Sequence, residues 1–481
     1  MKPLLSKISN ILPEHSVVFI IEKDKIPDFA RLTDAEKNYV QKQLSAGEKF
    51  AVLNDYKRFI YIVSLKDKTG NFNVREDLRR SAYKLRKLIK SNNHDELVIS
   101  SENSYIGAVE DFTEGLILSV YSFDKYITDN KEENKKHHPA KLLLHGKTDD
   151  NKIKWLKEVT DAVWFVRDWV NEPVNHLNAV TLAMEIKKKG EEAGFSVEIF
   201  NKMKIESLKM GGLLAVNRGS IDPPSFSILE WKPEGHLNIN PIVLVGKGIV
   251  YDTGGLNIKT GDYMSGMKGD MAGAAIVTGA LYVAARTGIP LHIVGLVPST
   301  DNRPGENAYT QGDIITMHNN TTVEIGNTDA EGGLILADAI SYASKYKPEF
   351  IINIATLTGS AAMTFGAHAI AAMSNAKKKY IDMLKDAGDE VYERIAELPL
   401  WEEYGEALKS DVADIRNVGG REAGAITAGK FLEKFTSYPL IHLDIAGNEI
   451  LKKDEYYKLK NGTGTGLRLL SVFLKKLAES Y

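Results

Sequence analysis

PIVLVGKGIVYDTGGLNIKTGDYMSGMKGDMAGAAIVTGALYVAARTGIPLHIVGLVP, residues 241–298, decides the fold. It opens on an apolar run, PIVLVG (241–246), and closes on another, LHIVGLVP (291–298). Both are rich in β-branched residues and bounded by glycine or proline, as buried strands are. A helix is predicted between them, over 272–286. Downstream the alternation continues, with strands at FIINIATL (350–357) and LIHLDIA (440–446) and helices over 332–344 and 424–435. Near-continuous apolar strands alternating with helices predict an α/β fold, its mostly parallel mixed sheet sandwiched by helices. In such folds ligands gather outside the carboxyl ends of the strands, so polar residues just after these runs are where chemistry is expected.

The first third reads as a smaller α/β unit. Short apolar runs at VVFII (17–21), FAVLN from Phe50, FIYIVSL from Phe59 and ELVIS from Glu96 predict strands. EDLRRSAYKLRKLIK (76–90) has helical spacing, with Leu78, Ala82, Leu85, Leu88 and Ile89 on one stripe, and a second helix is expected over 106–121. From Asp129 the chain turns charged and polar, DNKEENKKHH, which suits a solvated segment near a boundary. The junction is expected between 141 and 155, followed by a helix over 153–170. That gives an N-terminal α/β domain over 1–150 and a larger C-terminal domain over 151–481. There is no internal repeat.

Bulk properties narrow the function classes. At 481 residues two or more domains are expected. Hydrophobic residues make up 43% and charged ones 26%, ordinary for a packed globular protein. A formal charge of −3 gives no reason to expect a nucleic-acid partner. With no cysteine, disulfides, thiolate zinc sites and cysteine nucleophiles are excluded. The opening MKPLLSKISNILPEHS lacks the unbroken apolar run of a secretory signal, and no uncharged stretch reaches the ~18 residues that span a bilayer. A cytoplasmic location without membrane attachment is the expectation.

Two segments could carry chemistry. VGKGIVYDTGGLNIKTGDYMSGMKGDMAGAA (245–275) presents Lys247, Asp252, Lys259 and Asp270 among many glycines. NTDAEGG (327–333) sets Asp329 and Glu331 two residues apart just before a helix. Mg²⁺ and Mn²⁺ prefer carboxylate oxygen and Zn²⁺ accepts it, and a metal pair ~3.5–4 Å apart needs carboxylates able to bridge. A lysine beside such cations can ligate as the neutral amine, and one left protonated can polarise a carbonyl. Taken alone this is weak, because Asp and Lys on glycine-rich loops are usually solvated turn residues. The eleven histidines are scattered and form no HExxH pair.

The two segments closely resemble the signature regions of the leucyl aminopeptidase family, cytosolic dimetal exopeptidases. The likeness continues through RDWVNEPVNHL (167–177), NAYTQGDIITM (307–317), ATLTGS (355–360), the stretch 398–432 and HLDIAG (442–447). It covers essentially residues 160–475 and makes 151–481 the metallopeptidase catalytic domain. The resemblance implies a hydrolase that releases N-terminal residues, leucine-like ones preferred, by a metal-activated water. It implies two divalent ions, Zn²⁺ or Mn²⁺ with Mg²⁺ as a further candidate, and a homohexamer acting on peptides in catabolism. Lys247, Asp252, Asp270 and Glu331 would hold one ion, and Asp252, Asp329 and Glu331 the other. Lys259 would be the electrophilic catalytic lysine, and Met267, Thr356, Leu357, Gly359 and Ala446 would meet the substrate.

One position departs from the family pattern. NTDAEG is normally followed by an arginine that anchors a bicarbonate ion acting as general base, and here that position is Gly333. A glycine has no forked donor set to hold the anion. Another cation holding it, a different base, or slow turnover are the alternatives, with Lys268 and Arg303 the basic residues nearby in sequence. The same departure gives the second reading its foothold: a catalytically weakened homologue kept for binding, DNA included.

Overall fold

The computed structural model describes residues 2–22, 26, 32–65, 71–101, 105–128 and 138–481. The charged segment from Asp129 lies outside the described residues as far as 137. The chain divides into two compact units. One comprises Met1–Asp161, Glu390–Tyr392 and Lys453–Leu459, and the other Ala162–Asp389, Glu393–Lys452 and Lys460–Tyr481.

The first unit is built on a six-stranded sheet. Its strands are β1 (Leu4–Lys7), β2 (Val17–Glu22), β3 (Phe50–Asn54), β4 (Phe59–Leu65), β5 (Glu96–Ser101) and β6 (Lys141–Gly146), in the order β1-β6-β5-β2-β4-β3. All neighbours run parallel except β3 and β4, which a short turn joins. Helices α1 (Asp34–Ser45), α2 (Asn71–Ser91) and α3 (Ala108–Ser119) connect them, and the helix expected over 153–170 is α4 (Asp150–Asn171). The α2 stripe buries Leu78, Ala82, Leu85 and Ile89, whereas Leu88 turns out to solvent. Periodicity missed β1, β6 and α1. The last announces itself by a capping box, in which the Thr33 hydroxyl accepts from the Glu36 N–H and Glu36 reaches back to the Thr33 N–H.

The second unit carries the long sheet. Its strands are β7 (Ser196–Phe200), β8 (Ser225–Trp231), β9 (Ile242–Gly246), β10 (Gly248–Asp252), β11 (Ile293–Asn302), β14 (Phe350–Ala355), β15 (Ile370–Ser374), β16 (Ile395–Glu397) and β18 (Leu440–Asp444). The order is β16-β15-β18-β14-β9-β11-β8-β7, with β10 pairing on β11. Its centre, β18-β14-β9-β11, is parallel, and the antiparallel pairs β11/β8, β8/β7 and β15/β18 flank it. A small separate sheet joins β12 (Ile314–Thr316), β13 (Thr322–Glu324) and β17 (Ile415–Arg416). The mostly parallel mixed sheet expected from the sequence is therefore present.

Helices cover both faces. Val243, Val245, Val294, Leu296 and Ile351 pack in one cluster with residues of α6 (Gly211–Asn217), α8 (Glu331–Ala343) and α10 (Gly424–Glu433). The other face meets α5 (Ala179–Ala193) and α7 (Ala272–Thr287), with α11 (Leu467–Glu479) packed on α7. Two differences from the sequence reading bear on the site. After Gly246 the chain re-enters a short strand, β10, because Ile249, Val250 and Tyr251 suit a pleated, half-buried surface. And β11 runs past Pro298 to Asn302, carrying four polar residues, Ser299 to Asn302, into the buried sheet end.

The α7 helix starts against the end of β9 with no room to spare. A Cβ on Gly273 would lie 2.2 Å from the Ile354 carbonyl oxygen and 2.7 Å from the Lys247 nitrogen. Only glycine allows that approach. Gly273→Ala is expected to cost about 3 kcal/mol or more in urea unfolding, as overpacking against backbone does. Gly405→Ala, which would meet only the Lys430 Cε at 3.8 Å, serves as the reference and should stay within about 0.5 kcal/mol.

Candidate metal centre and active site

The carboxyl ends of the central strands converge on a cluster of acids and lysines. Lys247 follows β9 directly, and its backbone is pinned on both sides. Its N–H donates to the Ile354 carbonyl (3.2 Å), and its carbonyl accepts from the Ala274 N–H (2.9 Å). The side chain is wholly buried and runs past Gly332, where a Cβ would lie 2.5 Å from the lysine Cε. Its ammonium lies 2.8 Å from Asp270 Oδ1 and 3.0 Å from Glu331 Oε1, and donates to the Thr356 carbonyl at 3.0 Å. Burial alone would depress this ammonium, but Asp270, Glu331 and Asp252 outweigh it and hold it well above the usual lysine range.

Asp252, Asp329 and Glu331 form the second half. Each offers a carboxylate oxygen, and the three atoms lie within 4.8 Å of one another. Asp252 ends β10, Asp329 sits in a 3₁₀ turn and Glu331 opens α8, where the helix N-terminus favours negative charge. Lys259 Nζ stands between two of them, 2.8 Å from Asp252 Oδ2 and 2.5 Å from Asp329 Oδ1. Burial pushes the Asp329 carboxyl up to about 7, Asp252 and Glu331 adding to the rise and Lys259 opposing it. Burial likewise lifts Asp270 well above the carboxylate range against the pull of Lys247.

The sequence reading missed the residues that hold these acids in place. Asn302 at the end of β11 donates from Nδ2 to Asp252 Oδ1 (2.8 Å), to the Thr328 carbonyl (3.0 Å) and to Glu331 Oε2 (3.3 Å). The Thr328 hydroxyl donates to the Gly254 carbonyl (2.7 Å) and accepts from the Asn257 N–H (2.8 Å), while the Thr328 N–H donates to Asn257 Oδ1 (2.8 Å). The NTDAEGG turn is thereby laced to the DTGGLN turn. Asp444, buried at the end of β18, accepts from the N–H groups of Leu357 (3.0 Å) and Ala446 (3.1 Å) and from the Thr358 hydroxyl (2.7 Å). Polar side chains inside otherwise apolar strands, STDN at 299–302 and Asp444 in LIHLD, were the available sign.

The expected substrate residues divide by neighbourhood. The Thr356 hydroxyl donates to Asp270 Oδ1 at 2.6 Å, so it belongs to the acidic cluster. Leu357 and Ala446 are drawn together by Asp444. Gly359 opens α9 (Gly359–Phe365) with nothing within 4 Å of where a Cβ would stand. Met267 lies half-buried in the turn that leads to Asp270. Gly333 faces Phe431, whose ring would be 3.3 Å from a Cβ there. The two basic residues considered as substitutes have other partners: Lys268 donates to the Asn171 carbonyl and Arg303 pairs with Asp301.

The cluster suits hard divalent cations. Asp270 Oδ2 and Asn302 Oδ1 are buried without a hydrogen-bond partner, although Oδ2 lies 2.7 Å from the Lys247 ammonium, outside hydrogen-bonding geometry. Oxygen-rich donor sets with spare acceptors are what such ions take.

Comparison with known proteins agrees with this geometry. The cytosol aminopeptidase family, catalytic domain, matches residues 164–471. A probable cytosol aminopeptidase of Chloroherpeton thalassium is 38% identical over 93% of this chain and 94% of its own. One of Aquifex aeolicus is 36% identical over 96% and 95%. Among solved structures, the bottromycin maturation enzyme BotP in complex with Mn superposes with a TM-score of 0.84 at 25% identity, covering 97% of this chain and all of that one. The chain belongs to the cytosol aminopeptidase family. It is a peptidase, and the alternative of a weakened homologue kept for binding finds no support in these relatives.

Thr328 gives the test of the lacing. Thr328→Val keeps the shape but strands the Gly254 carbonyl and the Asn257 N–H, and should cost about 2–3 kcal/mol in urea unfolding. Thr328→Ser, which keeps the hydroxyl, should cost clearly less.

Proposed function

We propose that the protein is a metal-dependent aminopeptidase that releases single residues, leucine-like ones included, from the free amino ends of peptides. The observation that carries this is the convergence of Asp252, Asp329 and Glu331, with Lys247 and Lys259 between the acids, in a chain of this family. Lys247, Asp252, Asp270 and Glu331 would hold one divalent ion and Asp252, Asp329 and Glu331 a second, Zn²⁺ or Mn²⁺ with Mg²⁺ as a further candidate. Lys247 would join as the free amine. When bound, such a pair supplies Lewis acidity and a water made acidic near neutral pH.

The chain's own groups then have separate tasks. Lys259, kept protonated by Asp252 and Asp329, would direct an N–H at the scissile carbonyl oxygen, where negative charge develops. Asp444 fixes the Leu357 and Ala446 N–H groups, so the backbone contact expected of Leu357 falls to its carbonyl. Met267, Thr356, Gly359 and Ala446 would border the first side chain. With Gly333 in the arginine's place, a bicarbonate base has no anchor at that position, and proton transfer falls to another group.

Residues 1–150 would act as an accessory α/β domain to the catalytic domain 151–481. A homohexamer is proposed on the family resemblance, and a cytoplasmic role in peptide catabolism on the relatives' names. Among the described residues no helix is long and apolar enough to cross a membrane.

Purified protein loaded with Mn²⁺ or Zn²⁺ is expected to hydrolyse leucyl p-nitroanilide, to lose that activity to a chelator, and to leave N-acetyl-leucyl p-nitroanilide intact. Folded protein that cleaves nothing with any divalent metal overturns the reading. Lys259→Ala should lower kcat by roughly 10²–10³. Asn302→Ala, which removes the donor orienting Asp252 and Glu331, should weaken Mn²⁺ binding about 10–100-fold by calorimetry.

A further inference from the structure

Glu449 lies three residues beyond Ala446, in the stretch 445–450 that leaves β18. Burial disfavours its ionised form, and the backbone N–H groups of Glu449 and Gly447 favour it. Its Oε2 oxygen is buried without a hydrogen-bond partner. Within the second unit the buried unpartnered carboxylate oxygens among the described residues are this one and Asp270 Oδ2, which the acidic cluster accounts for. Leaving a buried acceptor unmet costs about 1–3 kcal/mol, more when it is charged.

Its surroundings belong to the pocket proposed for the first side chain. The next residue, Ile450, packs on the segment that carries Met267, its Cδ1 lying 2.5 Å from where a Gly269 Cβ would be. Gly447 abuts α9, with Ala362 Cβ 3.0 Å from its own missing Cβ. The loop 446–450 that bears Glu449 thus packs, through Gly447 and Ile450, on the pieces of chain 359–366 and 266–269 that carry Gly359 and Met267. Burial pushes the Glu449 carboxyl up to about 7, Asp444 adding to the rise and Lys247 opposing it, so it shares the electrostatic neighbourhood of the catalytic cluster.

We propose that Glu449 is a specificity-determining residue that favours peptides whose first side chain is cationic, lysine or arginine. The inference rests on the aminopeptidase reading above. Those side chains lay an aliphatic stem along apolar surface and carry the charge at the tip. Met267 and Ala446 suit the stem, and the carboxyl suits the tip. A buried carboxylate also disfavours an acidic first residue.

The experiment compares kcat/KM of the Mn²⁺-loaded enzyme on lysyl, arginyl, leucyl and glutamyl p-nitroanilides. The wild type should cleave the lysyl and arginyl substrates at least as well as the leucyl one and the glutamyl one least. Glu449→Gln keeps an acceptor for the Gly447 N–H and should lower the lysyl-to-leucyl ratio about tenfold, through KM more than kcat. Glu449→Met should lower it further while leucyl cleavage persists. Leucyl cleavage with an unchanged ratio in both variants overturns the assignment of Glu449 and leaves the aminopeptidase standing. No cleavage of any substrate by folded wild type overturns both.

Discussion

Buried charge of one sign is the constraint on which the second unit depends. Asp252, Asp270, Asp329 and Glu331 meet at the strand ends with Lys247 and Lys259 between them, which leaves two more acids than ammonium groups. Two like charges ~4 Å apart repel by about 4 kcal/mol even at an effective dielectric of about 20. Burial raises Asp270 and Asp329 above the carboxylate range, the neighbouring acids adding to the rise and the lysines opposing it. Divalent cations answer the same imbalance without protonating a ligand. Occupancy would therefore stabilise the folded state as well as enable the reaction.

Such a cluster persists only on a frame that does not relax. Asn302 touches Asp252, Thr328 and Glu331 with one amide, and Thr328 and Asn257 tie the two signature turns to each other. The lysine between Asp270 and Glu331 is fixed by its backbone, set between β14 and the start of α7. The groups that make these contacts are amides, hydroxyls and backbone, which do not themselves titrate as the charge they position changes.

The sequence revealed the elements whose hydrophobic pattern is local, and missed those defined by pairing or by polar residues. The central strands and their helices were legible because parallel strands buried on both faces read as unbroken apolar runs. β7 and β1 escaped notice because exposed or half-buried positions break up such runs, and β8 because the buried Ser225 and Ser227 interrupt its apolar residues. β10 carries no local signal of its own, because only its place beside β11 makes GIVYD a strand. At the site, spacing alone could not separate Asp252 and Lys259 from ordinary turn residues. Asn302 and Asp444 were hidden for the opposite reason: they sit in strands, where a polar side chain has meaning only once its partners across the fold are known.

The two glycines that open α8 answer to different neighbours. Gly332 is held by the passage of Lys247, whose Cε would be 2.5 Å from a Cβ, so a side chain there would evict the lysine from between Asp270 and Glu331. Gly333 meets no backbone, only two atoms of the Phe431 ring at 3.3 and 3.4 Å, which would have to give by a few tenths of an ångström. The first carbon of a side chain at 333 thus meets no backbone. What that carbon meets is the ring of Phe431, buried in the cluster that also holds Leu334 and Ile335 of α8. Close packing transmits a change at one position to its neighbours. An arginine at 333 therefore depends on what Phe431 can do as much as on the signature motif itself.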